Sequence, residues 1–252
     1  MKTILKVNAI VVPVVVAATI VVLMLVRNFA DQTALEETLK TAQLLVSAGQ
    51  ATFDYTVEQV KPALEAKYEF MVQSVSSYAA SETIGRIQRQ FENYRYHVAA
   101  LNPTNKRDAA DAWEANAIQR LALPNASDQY TEIRDLKEGR VLFMAVPIRI
   151  SNEACLTCHS VPGAAPKMLI DTYGANSGFG WKLNEVVAAQ VVSVPMSVAQ
   201  TRADVLFHRV MLAVVASSVF IVIAMNGALL IVLRQRPKKR SGEHETAAGV
   251  GA

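Results

Sequence analysis

Two long apolar runs dominate the pattern of hydrophobic and polar positions along the chain. The first extends from Val7 to Val26 and the second from Val210 to Leu233, and basic residues bound both. About twenty residues of α-helix span about 30 Å, the thickness of a bilayer core. The pattern therefore predicts two transmembrane helices, an anchor within residues 1–27 and a second span over 210–233. A cleaved signal peptide is the alternative for the first run, but the run is long for one and lacks a clear A-x-A site.

After the first run the chain continues with helical periodicity. Apolar or small residues recur at alternating spacings of four and three positions: Leu35, Leu39, Ala42, Val46, Gly49 and Phe53. This heptad seam has two explanations. Either the helix packs on its own domain, or it is a dimer or signalling helix continuous with the membrane span. The sequence leaves both open.

The segment between the runs then changes from helical to strand-like patterns. Three further helices are predicted, with turn residues before the last: Val57–Ala80, Glu82–Val98 and Asp108–Leu123, with the turn at Leu101–Asn105. Two runs rich in β-branched residues predict strands on either side of a loop, and a last helix leads into the second span: Val141–Ile148, Val186–Val194, Ser151–Gly180 and Met196–Arg209. This order indicates an α+β fold over residues 28–209, with long helices and a small antiparallel sheet between two transmembrane helices.

Composition and charge restrict the class and the topology. Hydrophobic residues make up 52% of the 252 residues, which excludes a disordered chain, and two cysteines exclude a disulfide scaffold. Residues 28–208 carry 16 Lys and Arg against 20 Asp and Glu, a net charge of −4, whereas the two margins carry +7. Basic margins place both termini, including the basic tail 234–252, in the cytoplasm. The domain between them is then extracytoplasmic, and nucleic-acid binding loses its main support.

One motif carries chemistry. Residues 155–159 read Cys-Leu-Thr-Cys-His, the C-x-x-C-H signature of c-type haem attachment. Cys155 and Cys158 are spaced to reach the two vinyl groups of one haem, and His159 is the proximal iron ligand. A zinc site would need four ligands and a second cysteine pair is absent from the sequence. The sequence therefore predicts one covalent haem c, with a simple disulfide as the alternative.

The sixth position of the iron is less constrained by the sequence. Of the other three histidines, His208 abuts the second apolar run and His244 lies in the tail, so His97 is the candidate sixth ligand, predicted at the end of a helix beside Tyr94 and Tyr96. An ordinary hydrogen-bonded histidine is the alternative, and an open five-coordinate iron is another. Three methionines could also ligate, although each fits a core role: Met71, Met144 and Met168.

The aromatic residues Tyr96, Phe179 and Trp181 are candidates for the wall of a haem pocket. Phe179 and Trp181 belong to a Gly-Phe-Gly-Trp stretch whose aromatics could press against the porphyrin. A sheet-edge turn with core aromatics explains this stretch equally well. The turn residues Asn102–Asn105 likewise indicate first a structural turn and only second a pocket wall.

Short strings around the motif resemble a family of single-haem, PAS-like sensor domains of bacterial membrane proteins. They occur in order over most of residues 45–200 and are specific together: Val60-Lys61-Pro62, Ser77-Tyr78-Ala79-Ala80, Tyr94-Arg95-Tyr96, Leu101-Asn102-Pro103-Thr104-Asn105, Trp113-Glu114, Cys155-Leu156-Thr157-Cys158-His159-Ser160, Ala165-Pro166, Tyr173-Gly174, Gly178-Phe179-Gly180-Trp181-Lys182 and Ala189-Gln190-Val191-Val192-Ser193-Val194-Pro195. The resemblance implies a PAS-like fold holding haem c between helices and a small sheet. It also implies a role in sensing redox state or a diatomic gas, in the bacterial plasma membrane.

Two functions follow from these features, and they differ in how the haem is used. In the first, a haem sensor signals through a protein partner or a homodimer, because the sequence after Pro237 is expected to be too short for an output module. In the second, the chain is a membrane-anchored single-haem electron-transfer protein or a subunit of a respiratory or photosynthetic complex. An enzyme is not expected, because no Arg/His pair at a recognisable spacing supports general acid–base chemistry.

Overall fold

The computed structural model describes residues 2–67 and 70–235. Its α-helices and β-strands are, in chain order, α1 (Lys2–Tyr55), α2 (Lys61–Glu65), α3 (Ser76–Gln88), β1 (Arg95–Ala100), α4 (Ala112–Leu121), β2 (Tyr130–Leu136), β3 (Gly139–Arg149), α5 (Leu156–His159), α6 (Lys167–Tyr173), β4 (Val186–Pro195) and α7 (Ser197–Gln235). The chain divides into two compact units, the terminal unit and the central unit. The described part of the terminal unit is 2–30 with 205–235, and that of the central unit is 31–67 with 70–204.

The terminal unit consists of the first part of α1 and most of α7. Both helices are long and apolar enough to cross a membrane, and their most apolar stretches are exposed rather than buried in protein. Polar pairs join the two helices: Asn8 Nδ2 donates to Asn226 Oδ1 at 2.8 Å, and the hydroxyls of Thr19 and Ser218 are 2.8 Å apart. Bonds of this kind stabilise helix pairs in lipid, where water does not compete for them. The basic tail predicted over 234–252 lies outside the described residues from 236 onward.

The central unit is built on one antiparallel sheet with strand order β1-β4-β3-β2. The most buried strand is β4, where nine of ten residues are buried, because it pairs with β1 on one side and with β3 on the other. Strands β2 and β3 form a hairpin around Lys137 and Glu138. The α+β class with long helices and a small antiparallel sheet is therefore confirmed.

The two faces of the sheet bury different helices. On one face, α1 and α3 enclose the larger core, whose buried members are Ala42, Val46, Ala80, Ile84, Tyr96, Val98, Leu142, Met144, Val192, Val194 and Met196. On the other face, α4 packs through Ala117, Ile118 and Leu121. Because successive side chains of a strand point to opposite faces, helices on both faces of the sheet bury nearly every side chain of the central strand β4.

The heptad seam of α1 lies on the domain's own core. Ala42 and Val46 are buried there, and Leu35, Leu39 and Phe53 pack against the same cluster. Gly49 makes the closest approach, since a Cβ on it would lie 2.6 Å from the Tyr96 ring and 2.7 Å from Gln190 Oε1. The seam therefore serves packing within the domain, the first of its two explanations.

Several predicted elements differ from the structure. The helix predicted over Val57–Ala80 is a π-helical turn (Thr56–Val60), α2, a 3₁₀ turn (Val72–Ser74) and the start of α3, and 68–69 lie outside the described residues. The helix predicted over Glu82–Val98 ends at Gln88, and Arg95–Ala100 form strand β1. The short Tyr-Arg-Tyr-His-Val run alternates between the two faces of the sheet, and pairing with β4 overrides its helical pattern.

Candidate functional site

The C-x-x-C-H motif lies on two consecutive helical turns beside the sheet. A 3₁₀ turn covers Glu153–Cys155, capped by Asn152 Oδ1 accepting from the Ala154 N–H at 2.8 Å, and α5 follows directly. Cys155 and Leu156 pack against a small buried cluster, formed by Ala100, Ile150, Val187 and Ala188. This packing holds the first cysteine in place, while the polar cap sets the direction in which the motif leaves the preceding strand.

Both cysteines are free thiols, and both are half-buried. Burial raises the pKa of the Cys158 thiol, while the ammonium of Lys61 on α2 opposes that effect. A raised pKa disfavours the thiolate that redox-active cysteine pairs and zinc sites require. Among the described residues, His, Cys, Asp and Glu side chains form no group of three that could hold a metal ion on their own. The pair thus lacks, among the described residues, the further ligands that a zinc site requires.

His159 is oriented through one ring nitrogen. Its Nδ1 donates to the Gly178 carbonyl at 2.7 Å, and burial is the main cause that lowers its pKa, so the neutral ring carries its proton on Nδ1. The Thr104 hydroxyl is 3.5 Å from the same nitrogen. Metal-ligating histidines commonly hold one N–H on a carbonyl in this way, which leaves the lone pair of the other nitrogen for the metal. Here that nitrogen is Nε2.

The loop Gly178–Trp181, which we call the histidine loop, covers the motif. The Trp181 ring stacks on the His159 ring with centroids 3.9 Å apart and planes at 13°. Two backbone bonds join the segments as well: Trp181 N–H donates to the His159 carbonyl at 3.2 Å, and Gly180 N–H donates to the Ser160 carbonyl at 2.9 Å. Trp181 is thus brought to the motif, and the predicted Phe179 belongs to the same loop.

Asn102 holds the histidine loop, a role that the sequence did not reveal. Its Oδ1 accepts from the Gly178 N–H at 3.1 Å, and its Nδ2 donates to the Phe179 carbonyl at 3.0 Å. The turn chemistry at 102–105 predicted a structural turn first and a pocket wall second, and neither prediction includes a bond to this loop. The sequence contained one indication of this role: the turn with Asn102 and the loop Gly178–Trp181 both belong to the strings that resemble the family.

The structure does not bring Tyr96 to the motif. Its side chain is 7% exposed in the core between α1 and the sheet, and its hydroxyl donates to Gln190 Oε1 at 2.9 Å. Gln190 in turn donates to Gln50 Oε1 on α1 at 2.7 Å. Burial raises the pKa of the Tyr96 phenol, so the phenol stays protonated and remains a donor. Tyr96 therefore joins α1 to the sheet.

His97 lies in strand β1 and not at the end of a helix. Its Nδ1 is 2.8 Å from Glu114 Oε1 on α4, and its Nε2 is 3.1 Å from the Arg107 carbonyl. The hydrogen bond to Glu114 is the main cause that raises the pKa of His97, and a protonated ring satisfies both acceptors. As placed, His97 has no free nitrogen for an iron, and it contacts α4 rather than the histidine loop. Of the candidate methionines, Met144 is 1% exposed and belongs to the core.

Comparison with known proteins adds the family. No curated protein matches the chain. Among solved structures, a match is found to the crystal structure of the cyanobacterial heme-protein Tll0287, with 15% sequence identity, a TM-score of 0.47, and coverage of 63% of this chain and 95% of that chain. The model of the Tll0287-like family matches residues 31–195, more than half of the sequence. The chain therefore belongs to the Tll0287-like family, which confirms the resemblance drawn from its motifs.

Proposed function

We propose that the central unit carries one haem c, bound covalently through Cys155 and Cys158 with His159 as the axial iron ligand. The observation that carries this proposal is the state of the motif: two free thiols on consecutive turns, followed by a histidine whose Nδ1 is held by the Gly178 carbonyl. Membership of the Tll0287-like family supports it, because the relative of known structure is a heme-protein.

The attachment chemistry requires the thiols that the structure shows. Each S–H adds across one vinyl C=C bond, so that a C–S bond and a C–H bond form and no group leaves. A disulfide between Cys155 and Cys158 would block this addition. Bound in this way, haem supplies reversible one-electron chemistry and, where a coordination position is open, binding of diatomic gases. The protein supplies the axial imidazole of His159 and the aromatic surface of Trp181.

Covalent attachment can be tested on the full-length chain, produced in bacteria that attach haem c. We expect haem to stay with the protein after denaturation and solvent extraction, and to be extracted from a C155S/C158S variant. The matched control is T157A, which changes the exposed residue between the two cysteines and should keep its haem. Extraction of all haem from the unaltered chain would exclude the proposal.

We further propose that the haem unit senses redox state or a diatomic gas and signals through a partner or a second copy. His97 and Met144 are committed to other contacts, which leaves the sixth position of the iron open or held by a thioether of Met71 or Met168. The helices α1 and α7 each continue without a break from the central unit into an apolar stretch. In this proposal a change at the haem reaches the membrane through α1 or α7, with both termini on the cytoplasmic side and the haem outside.

Spectra of the reduced protein separate sensing from electron transfer. A sensor of this type should bind CO or NO when reduced, or change hydrogen exchange along residues 31–55 of α1 on reduction. Fast reversible reduction by a donor, with neither gas binding nor a change in exchange, would instead indicate the alternative, a membrane-anchored electron-transfer protein. Ligand-free spectra of both oxidation states provide the reference.

A further inference from the structure

We propose that Asn102 is a positioning residue for the axial histidine, acting through the histidine loop. This inference rests on the proposed function for its consequence at the haem, but the geometry that carries it belongs to the protein alone. Asn102 is distant in sequence from the histidine loop, since Gly178 is 76 positions away and Phe179 is 77 positions away.

The Asn102 amide engages the loop at two points. Its oxygen accepts the Gly178 N–H and its nitrogen donates to the Phe179 carbonyl, at 3.1 and 3.0 Å. With both ends of one planar amide bonded to consecutive residues, the peptide segment around Gly178 has a fixed position and rotation. A side chain that made only one of these bonds would leave the loop free to pivot.

The atom that Asn102 fixes is the acceptor for His159. The Gly178 carbonyl accepts from Nδ1 at 2.7 Å, so its position sets the rotation of the imidazole and keeps the proton on Nδ1. The Thr104 hydroxyl is 3.5 Å from Nδ1, beyond the length of a good bond, so it does not replace this carbonyl. Asn102, Gly178 and His159 therefore form a relay of hydrogen bonds that ends at the proposed iron ligand.

The loop has to approach the turn of Asn102 closely for this relay to form. Gly178 adopts φ +84°, and a Cβ there would lie 2.8 Å from the Thr104 Cα. Glycine accepts both the positive φ and the close approach. Two features of the sequence, the Asn-Pro-Thr turn and the Gly-Phe-Gly-Trp loop, thus form one unit that holds the imidazole.

The bond to Nδ1 has a consequence for the iron. Donation to a carbonyl raises the basicity of the ligating nitrogen, which stabilises ferric over ferrous iron. Loosening the histidine loop should therefore raise the reduction potential of the haem and weaken the iron–imidazole bond. Loss of a merely structural contact at a distance would lower stability without either change.

The test compares N102A with N105A in the full-length, haem-loaded chain. Asn105 is the matched control, because its Oδ1 caps the neighbouring turn by accepting from the Arg107 N–H at 3.2 Å and does not bond the histidine loop. We expect N102A to shift the midpoint potential upward and the iron–histidine stretching band to lower frequency, with N105A like the unaltered chain. A milder variant, N102S, serves if N102A loads no haem, and it should shift both readouts in the same direction by less.

Unchanged potential and stretching band in haem-loaded N102A or N102S, or equal shifts in N105A, would overturn the proposal. A second readout needs no haem: ¹⁵N NMR of histidine-labelled full-length chain should show His159 protonated on Nδ1 and lose that single tautomer in N102A. If the chain carries no haem, the proposed function fails, and this measurement still decides the positioning role. An unchanged tautomer in N102A would contradict it.

Discussion

At the residue scale, the backbone geometry around the candidate site requires a glycine at position 178. Its φ of +84° and the 2.8 Å separation between an added Cβ and the Thr104 Cα both require the absence of a side chain. The loop around it carries the acceptor for His159. The identity of this residue is therefore determined by backbone geometry and not by a chemical group of its own.

Replacing Gly178 by alanine should destabilise the central unit by about 2–4 kcal/mol, because the backbone strain and the clash both act. The control is G163A, since a Cβ on Gly163 meets nothing within 4 Å and this glycine also lies close to the motif. Thermal unfolding followed by tryptophan fluorescence measures both variants. Equal stability of G178A and G163A would contradict the described loop geometry.

The His97–Glu114 pair gives the stability of the central unit a pH dependence. The folded state raises the pKa of His97 above its ordinary value of 6.5, mainly through the hydrogen bond to Glu114, and burial partly opposes this. The stabilisation is therefore complete below about pH 6.5 and is lost as the pH rises through the raised pKa. Because the His97 side chain is 33% exposed, we expect about 1 kcal/mol or less.

Comparison of the unaltered chain with H97Q isolates this effect. The stability difference between the two proteins should shrink between pH 6 and pH 9, measured by unfolding at each pH. A difference that stays constant over this range would show that the imidazolium does not contribute to folding.

At the level of elements, the register of α1 on the sheet depends on Gly49. Here the helix backbone approaches Tyr96 and Gln190 so closely that a Cβ would meet them at 2.6 and 2.7 Å. The next residue, Gln50, accepts a hydrogen bond from Gln190 Nε2 at 2.7 Å. A polar contact and a close backbone approach therefore fix the same point of the helix. Such a combination defines one register where an apolar seam alone would permit sliding.

The variant G49V should cost the central unit about 1–3 kcal/mol, because the helix has to move away from Tyr96. The matched control is G85A in α3, where an added Cβ meets nothing within 4 Å. That change should stabilise the protein by about 0.5–1 kcal/mol, since glycine is unfavourable within a helix. Thermal unfolding of both variants measures whether each change lowers or raises stability. Stabilisation by G49V would contradict the close contact at Gly49.

The sequence predicts the strands whose own residues are buried β-branched runs. It does not predict the strands that form because of pairing with residues distant in sequence. The strands near Val141–Ile148 and Val186–Val194 were predicted because buried β-branched runs are distinctive. Strand β1 was missed because Arg95–Ala100 carries few such residues and is defined by pairing with β4, about 90 positions later. The hairpin strand β2 was missed because none of its seven residues is buried, so it carries no buried apolar run.

The same reasoning applies to the site. Cys155, Cys158 and His159 were recognised because their chemistry requires adjacency in the sequence. Trp181 is a candidate because it belongs to the aromatic Gly-Phe-Gly-Trp stretch, and in the structure its ring stacks on that of His159. His97 and Tyr96 were candidates by residue type alone, and tertiary contacts assign both to packing between elements. Asn102 acts across 76 positions, a relation that no local pattern contains.

At the level of the whole molecule, the distribution of charge and the two apolar helices both indicate a membrane-anchored chain. The net charge of +3 combines an acidic segment over 28–208 with basic margins. Helices α1 and α7 both lead from the central unit into apolar stretches. We propose that these helices anchor the chain in the plasma membrane and that its haem lies outside the cytoplasm.

We propose that Cys155 and Cys158 each form a thioether with one haem. Intact-mass spectrometry of the denatured full-length chain distinguishes this attachment from a disulfide. We expect a mass that exceeds that of the polypeptide by one haem, with the addition localised to the peptide containing residues 155–159 and absent from C155S/C158S. A mass two hydrogens below that of the reduced polypeptide, with no haem added, would show a disulfide and exclude covalent haem.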